Sequence, residues 1–501
     1  MNVASGTPSK VWIAIVTIEA LTPLLIGTGR GDDLRDTVCV TDANGLPTIP
    51  GSSIAGVIRA QWEAGTQGKA THSVFGCNDK DAKDAKRAQG RPPPRDESDS
   101  GKRSRLTVGW AAVHDSANIP ASPKPRPRGK NDNLDAALAF VARGVTRDHV
   151  RINTLGVADG HGKFDVSPVP AGARFSFELR LDDPTDQELR RLREILGSPS
   201  LHLGGQTRRG LGGVVVCAIR ERAFDWTRGH RDLAAWAAYS GTASLAERAA
   251  LLGAPAKLTQ PKSGDTVWTL DIMAPLGWRI GGGDADATET VTKRTRESTE
   301  QTPVDLAPYR ERRIVWVKDG TKERAEISKP IAVLPGTSVK GAVRHRTAFH
   351  KRRLESRWID IDGEQRTLAG PDKDHPDGLE GLFGDVKHND ELTDTSFPGR
   401  VFIDDVWVPD TTSHTQHHVA LDRFSGAPIN GALFSEAMLG RTKLRIRVSL
   451  RARPQPDDNE LASVDALHEA LLDIAEGRLA LGAASARGHG YFNGTLKREN
   501  A

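Results

Sequence analysis

Ile49-Pro-Gly-Ser-Ser-Ile-Ala-Gly-Val-Ile-Arg59 returns in the second half of the chain as Leu334-Pro-Gly-Thr-Ser-Val-Lys-Gly-Ala-Val-Arg344. In both copies Pro-Gly makes a turn, a small hydroxyl residue follows, and an apolar-periodic stretch begins, which is the signature of a helix start. Other blocks recur around it in the same order. Phe75-Gly76 is repeated at Phe383-Gly384, and the alternating run from Arg105 to Val113 at Arg400 to Val408, ending near Asp115 and Asp410. His149-Val-Arg-Ile-Asn153 matches His418-Val-Ala-Leu-Asp422, each leading to a glycine and a phenylalanine (Gly162 and Phe164; Gly431 and Phe434). Leu203-Gly-Gly-Gln-Thr-Arg-Arg-Gly-Leu-Gly-Gly213 matches Leu481-Gly-Ala-Ala-Ser-Ala-Arg-Gly-His-Gly490. Chance similarity rarely keeps order, so the chain is a duplication.

The first unit spans residues 10–222 and the second 266–498, with an alanine- and leucine-rich helical linker over 223–265 that is densest from Leu233 to Leu252. Each unit opens with an alternating strand, Val11 to Ala20 and Val267 to Met273. A glycine-rich turn, a second strand and the Pro-Gly helix follow. Later strands, Arg174 to Leu181 and Lys443 to Leu450, precede helices Gln187 to Leu196 and Val464 to Glu476. This order predicts an α+β sandwich of the ferredoxin-like kind in each unit. Residues 78–103 and 118–133 are rich in Lys, Arg, Asp, Pro and Gly and read as loops.

At 501 residues the chain exceeds one ordinary core. Its hydrophobic fraction of 37% and charged fraction of 27% suit a globular protein. No apolar run reaches the roughly 20 residues needed to cross a bilayer. The start MNVASGTPSK lacks the basic-then-apolar order of a secretory signal, so a cytoplasmic protein without membrane partners is expected. Cys39, Cys77 and Cys217 lie far apart, which argues against a disulfide framework or a cysteine-rich zinc site; His72 and Cys77 alone do not make a metal site. A net charge of +4 is too mild to indicate nucleic acid by itself, so the placement of the cations matters.

Two features offer backbone amides and cations together. The Pro-Gly-Ser/Thr turns put Ser52, Ser53, Thr337 and Ser338 at helix starts, with Arg59, Lys340 and Arg344 further along the same helices. A helix N-terminus with nearby cations is suited to phosphate. The late glycine clusters hold Arg208, Arg209 and Arg487 in loops where the backbone can approach a ligand closely. Neither cluster reads GxxxxGK[ST], so nucleotide hydrolysis on a P-loop is not indicated and a nucleic-acid backbone fits better.

With Gly27-Thr-Gly29, Asp36, the repeated Pro-Gly blocks, the glycine–arginine loops and Leu421-Asp-Arg-Phe-Ser-Gly426 in view, the chain resembles the RAMP superfamily. More narrowly, it resembles the fused backbone subunits of type III CRISPR effector complexes. The resemblance implies two tandem ferredoxin-like, RRM-like RAMP domains with inserted loops and thumb-like hairpins. It implies a CRISPR guide RNA, a complementary target RNA and other effector subunits as partners. Gly27, Gly29, Asp422 and Arg423 join the RNA-binding set on this ground. The family cuts target RNA opposite a palm-loop aspartate, usually with a divalent metal, Mg2+ or Mn2+; carried over by position, that residue is Asp36, which would also contact the metal.

The second unit departs from this pattern. Aligning Ile314-Val-Trp-Val317 with Thr37-Val-Cys-Val40 sets Arg313 opposite Asp36, and leaves Asp284 or Asp286 of the preceding insertion as substitute acids. Three readings follow: a target-cutting backbone subunit, a guide-RNA scaffold that cuts nothing, or a guide-processing endoribonuclease. The last would use a histidine for acid–base work. His72, His149, His202, His418 and His489 show no catalytic pairing in sequence.

Overall fold

The first strand, Lys10–Ala20, is apolar at nearly every position, and the structure buries it on both faces. Such a run suits the centre of a covered sheet. The computed structural model describes residues 8–29, 31, 37–66, 71–76, 103–122, 124, 134–152, 158–228, 230–258, 260–261, 264–281, 290–294, 299–320, 322–356, 379–387, 395–408, 412–453 and 458–500. Lys10–Ala20 pairs antiparallel with Arg174–Asp182 on one side and Val214–Asp225 on the other. Leu106–Val108 extends the sheet beyond Arg174–Asp182. With helices Gly51–Thr66 and Asp186–Leu196 between the strands, this is the βαββαβ order of a ferredoxin-like domain.

The second half repeats that topology. Thr266–Met273 lies between Lys443–Leu450 and Asn493–Asn500, and Val401–Ile403 pairs with Lys443–Leu450. Helices Gly336–Leu354 and Asp458–Ala475 cover it. The fold is therefore α+β, two tandem ferredoxin-like domains, as the repeat predicts. Both alternating runs before the hairpins break in the middle, into Leu106–Val108 and Ala111–Val113 and into Val401–Ile403 and Val406–Val408.

The helix-compatible linker does more than connect. It forms two helices, His230–Gly241 and Leu245–Leu251. Tyr239, Trp236 and Leu252 pack on Val11, Ile13, Ile15 and Phe224 of the first sheet's back face. The second sheet needs no such cover. Its first strand alternates, and Thr269, Asp271, Arg445, Arg447 and Lys497 put polar groups on the corresponding face.

The halves meet through a buried joint. Arg147, at the start of hairpin strand Arg147–Ile152, donates from Nε and Nη2 to the two oxygens of Glu311 at 2.5 and 2.8 Å and forms an ion pair with Asp405 at 2.7 Å, with all three side chains at most 2% exposed. Tyr309 donates its hydroxyl to Glu311. Asp405 in turn accepts the Gly336 N–H at 2.8 Å, capping the second long helix. Gly210 of the first glycine turn lies against that helix start, with φ +99; a Cβ there would overlap the Asp405 carboxylate and stand 3.0 Å from the Gly336 backbone. Arg208 donates to the Gly399 carbonyl and lies over the Phe402 ring, and His202 is 3.1 Å from Asp404.

A second contact comes from the hairpin Ile314–Asp319 with Lys322–Ile327. Ile314 N–H donates to Ala171, Trp316 Nε1 to Gly172 at 2.8 Å, and Arg174 stacks 4.2 Å over the Trp316 ring while pairing with Glu323.

Arg147→Ala would leave Glu311 and Asp405 buried without their cation, a loss of about 3–5 kcal/mol. A urea titration followed by circular dichroism should show the midpoint fall accordingly, and Arg147→Lys, which keeps the charge but not the fork, should fall in between.

Candidate nucleic-acid interface

Hydrogen-bond register fixes how residues of one half correspond to the other. Val40 N–H donates to Ile26 and the Val40 carbonyl accepts from Thr48; Tyr309 N–H donates to Ile280 and its carbonyl accepts from Val333. Thr37 bridges Val166 in parallel, as Leu306 bridges Glu436. Tyr309 therefore stands where Val40 does, and Leu306 where Thr37 does. The residue before Thr37 is Asp36, and the residue before Leu306 is Asp305. The expected alignment through Ile314–Val317 is thus corrected: that strand belongs to the hairpin docked on the first half, and Arg313 holds its base through Ser328. Its apolar alternation imitates the true counterpart, which Pro308 disguises as a loop.

Asp36, Asp284 and Asp286 lie outside the described residues, as do Cys77, Asn153, Asp410 and most of 78–103 and 118–133. Asp305 is exposed, and its Oδ2 accepts the N–H and hydroxyl of Ser435 at 2.7 and 2.8 Å. The carboxylate is thereby held in one orientation at the foot of the hairpin. Among the described residues no three His, Cys, Asp or Glu side chains converge as a metal site.

The predicted phosphate-binding residues separate into groups. Lys340, Arg344, Arg208 and Arg209 come together at the joint. Lys340 is buried, donates to the Val401 carbonyl at 3.3 Å and faces the Phe383 ring. Burial, then Arg209, Arg208 and Arg344, push its ammonium down to about 7. Arg209 is exposed at the mouth of this cluster. It also bears on His149, which burial first, then Arg147 and Arg209, push down to about 4. The second helix start itself is not open to phosphate, because Asp405 already takes the Gly336 amide; burial, opposed by Arg147, raises that carboxyl to about 6. Thr337 is half-buried and Ser338 exposed beside it.

In the first half Ser52 is exposed, Ser53 is half-buried, and Arg59 pairs along its own helix with Glu63 at 2.9 Å. Gly27 and Gly29 are exposed, Gly27 bridging Cys39 and Gly29 holding φ +77. Arg487 is exposed on the second glycine turn and donates to Glu436 at 2.7 Å. Glu436 is buried, and Arg279 and His418 also reach it.

Two hairpins project from the domains. In the first, His149 stacks on Phe164; in the second, His418 stacks on Phe434. His418 also lies 3.2 Å from the Glu436 carboxylate, His489 contacts the Gly277 carbonyl, and the His72 side chain lies outside the described residues. Asp422 caps the tip of the second hairpin by accepting from Phe424 N–H, Ser425 N–H and the Ser425 hydroxyl. The tip presents Phe424, 90% exposed, with Arg423 over its ring. Asp422 therefore shapes the tip.

Sequence reasoning missed Arg147, Glu311, Asp405 and Asp305. The adjacent acids Asp404-Asp405 inside an apolar strand pattern, where the first copy has Gly109-Trp110, were the available signal.

No curated protein matches the chain. Among the described residues no helix is long and apolar enough to cross a membrane. The family model of the RAMP superfamily matches residues 17–215 and again 315–493, well over half of the chain. With two ferredoxin-like domains, two glycine turns and a shared basic cluster, the chain belongs to the RAMP superfamily, a family of CRISPR-associated RNA-binding subunits.

Proposed function

We propose that this chain is a guide-RNA-binding backbone subunit of a type III CRISPR effector complex, and that it presents a paired target RNA for cleavage. The observation that carries this reading is the convergence of Arg208 and Arg209 from one half with Lys340 and Arg344 from the other. Such a cluster suits a polyanion running across both domains. The apolar hairpin tip, with Phe424 exposed, suits insertion between bases.

Asp36 is the proposed acid of the first unit, and the register favours Asp305 over Asp284 and Asp286 for the second. Each would accept a hydrogen bond from a ribose 2′-hydroxyl and orient it toward the adjacent phosphorus. The 2′-hydroxyl gives its proton to the carboxylate as the 2′-oxygen bonds to phosphorus, and the leaving 5′-oxygen takes a proton from water, giving a 2′,3′-cyclic phosphate and a 5′-hydroxyl. A scaffold that binds without cutting is the second reading, favoured by the commitment of Asp305 to Ser435.

Cleavage of end-labelled target by the assembled complex in Mg2+ decides between them. Asp36→Ala should remove one cut and Asp305→Ala a neighbouring one, with guide binding unchanged. If the second cut survives Asp305→Ala and disappears in Asp284→Ala/Asp286→Ala, the insertion supplies the acid. Wild type that binds target and never cuts it establishes the scaffold.

Lys340 gives binding a pH signature. Its folded value lies below the ordinary lysine range, so the ammonium is present below about 7 and lost above it. RNA affinity at constant ionic strength should therefore fall as pH rises from 6.5 to 8.5, on the order of tenfold at most for one lost charge contact. Lys340→Arg should flatten that dependence, and Arg209→Ala should reduce the slope of log affinity against log salt by about 0.7.

A further inference from the structure

Three chain segments lie side by side at the foot of the second hairpin. Leu306 bridges Glu436 in parallel, its N–H donating to the Ser435 carbonyl at 3.1 Å and its carbonyl accepting from the Ala437 N–H at 2.8 Å. On the other edge of the same strand, Pro428–Leu439, the antiparallel register sets His417 directly opposite Ser435. Residues side by side on neighbouring strands project from one face of a sheet. Asp305, Ser435 and His417 therefore form a row on that face. The Ser435 hydroxyl, 2.8 Å from the Asp305 carboxylate, joins the first two members. His418 belongs to the opposite face, where it meets Phe434 and Glu436.

The row has the parts and the spacing of an acid–base pair. Ser435 in the middle is buried, while Asp305 and His417 at the two ends are exposed. Two strand spacings, about 10 Å, separate the end residues at the backbone. A phosphodiester lying over Ser435 would have a carboxylate on one side and an imidazole on the other, each within reach of a hydrogen bond. Histidine is the side chain that exchanges a proton near neutral pH. The first half has no imidazole at the corresponding place, because there Asp148 stands opposite Asp165.

We propose that His417 is the general acid of the second unit, protonating the 5′-oxygen that leaves when target RNA is cut. This rests on the reading of the chain as a target-cutting subunit with Asp305 as its second acid. The Asp305 carboxylate takes the proton of the 2′-hydroxyl, and the 2′-oxygen bonds to phosphorus. The bond from phosphorus to the 5′-oxygen breaks, and the imidazolium of His417 gives that oxygen a ring proton in place of water. The products are again a 2′,3′-cyclic phosphate and a 5′-hydroxyl. Solvent then carries the proton from the Asp305 carboxyl back to the imidazole, so both groups are restored. In-line displacement needs its base and its acid on opposite sides of phosphorus, and the two ends of the row supply that arrangement.

The test changes the leaving atom. Assembled complexes are given ordinary target RNA, or the same RNA with sulfur in place of the bridging 5′-oxygen at the second cut; the thiolate leaves without a proton. On ordinary RNA His417→Ala should slow the Asp305-dependent cut on the order of a hundredfold or more. The Asp36-dependent cut and the affinities for guide and target should stay as in wild type. On the sulfur RNA His417→Ala should cut at the wild-type rate, while Asp305→Ala stays slow, because sulfur replaces only the acid. His417 is exposed, so melting temperature should not move, and His417→Gln, which keeps bulk and polarity, should behave as His417→Ala does. A wild-type rate for His417→Ala on ordinary RNA would overturn the proposal, as would a loss that sulfur does not restore. A second cut that depends on Asp284 and Asp286 instead of Asp305 would remove the base from the row and overturn it too. Wild type that cuts neither RNA would instead overturn the cleavage reading itself, and the general acid with it.

Discussion

Arg147 reaches out of the first domain and is buried between Glu311 and Asp405 of the second. Removing a guanidinium from water is costly, and only an arrangement that satisfies its fork offsets that cost. Glu311 is itself bonded by Tyr309, and Asp405 caps the helix starting at Gly336. The position of the second helix, the orientation of the first hairpin and the seat of the glycine turn therefore depend on one another. A joint of packed aliphatic groups would hold the domains as tightly but would tolerate sliding. Charge pairs with fixed forks specify one register.

That register creates the basic cluster. Arg208 is drawn into the joint by the Gly399 carbonyl and the Phe402 ring, which leaves Arg209 facing outward beside Lys340 and Arg344. The helix start, used in many proteins to bind phosphate, is here taken by a protein carboxylate. Anion binding consequently moves from the amides of the turn to the side chains around it.

The duplicated halves have diverged where they meet themselves and where they meet other molecules. Beneath the first glycine turn, Leu25, Val166 and Leu211 form a small apolar cluster. Their counterparts beneath the second are Arg279, Glu436 and His489, with Arg487 adding a second cation to Glu436. A turn braced by an ion network under an exposed surface keeps its shape without a partner. The apolar version lies beside the joint, where the second domain shields it. The linker helices follow the same logic, covering the back of the one sheet whose strands are apolar on both faces.

The sequence by itself determined the duplication, the ferredoxin-like order in each half, the helix starts at the Pro-Gly turns and the two hairpins. These are local or periodic: a turn needs its glycine, and a strand or helix needs its apolar spacing, wherever the rest of the chain lies. Tertiary structure alone decided that Leu306 pairs as Thr37 does and Tyr309 as Val40 does, because an insertion shifted the spacing and a nearby alternating strand imitated the true counterpart. It alone decided that Arg208 serves the joint, that Asp405 occupies a helix start and that Trp110 is left exposed. Each of these depends on which distant groups become neighbours, and burial changes the value of a charge only once its partners are in place.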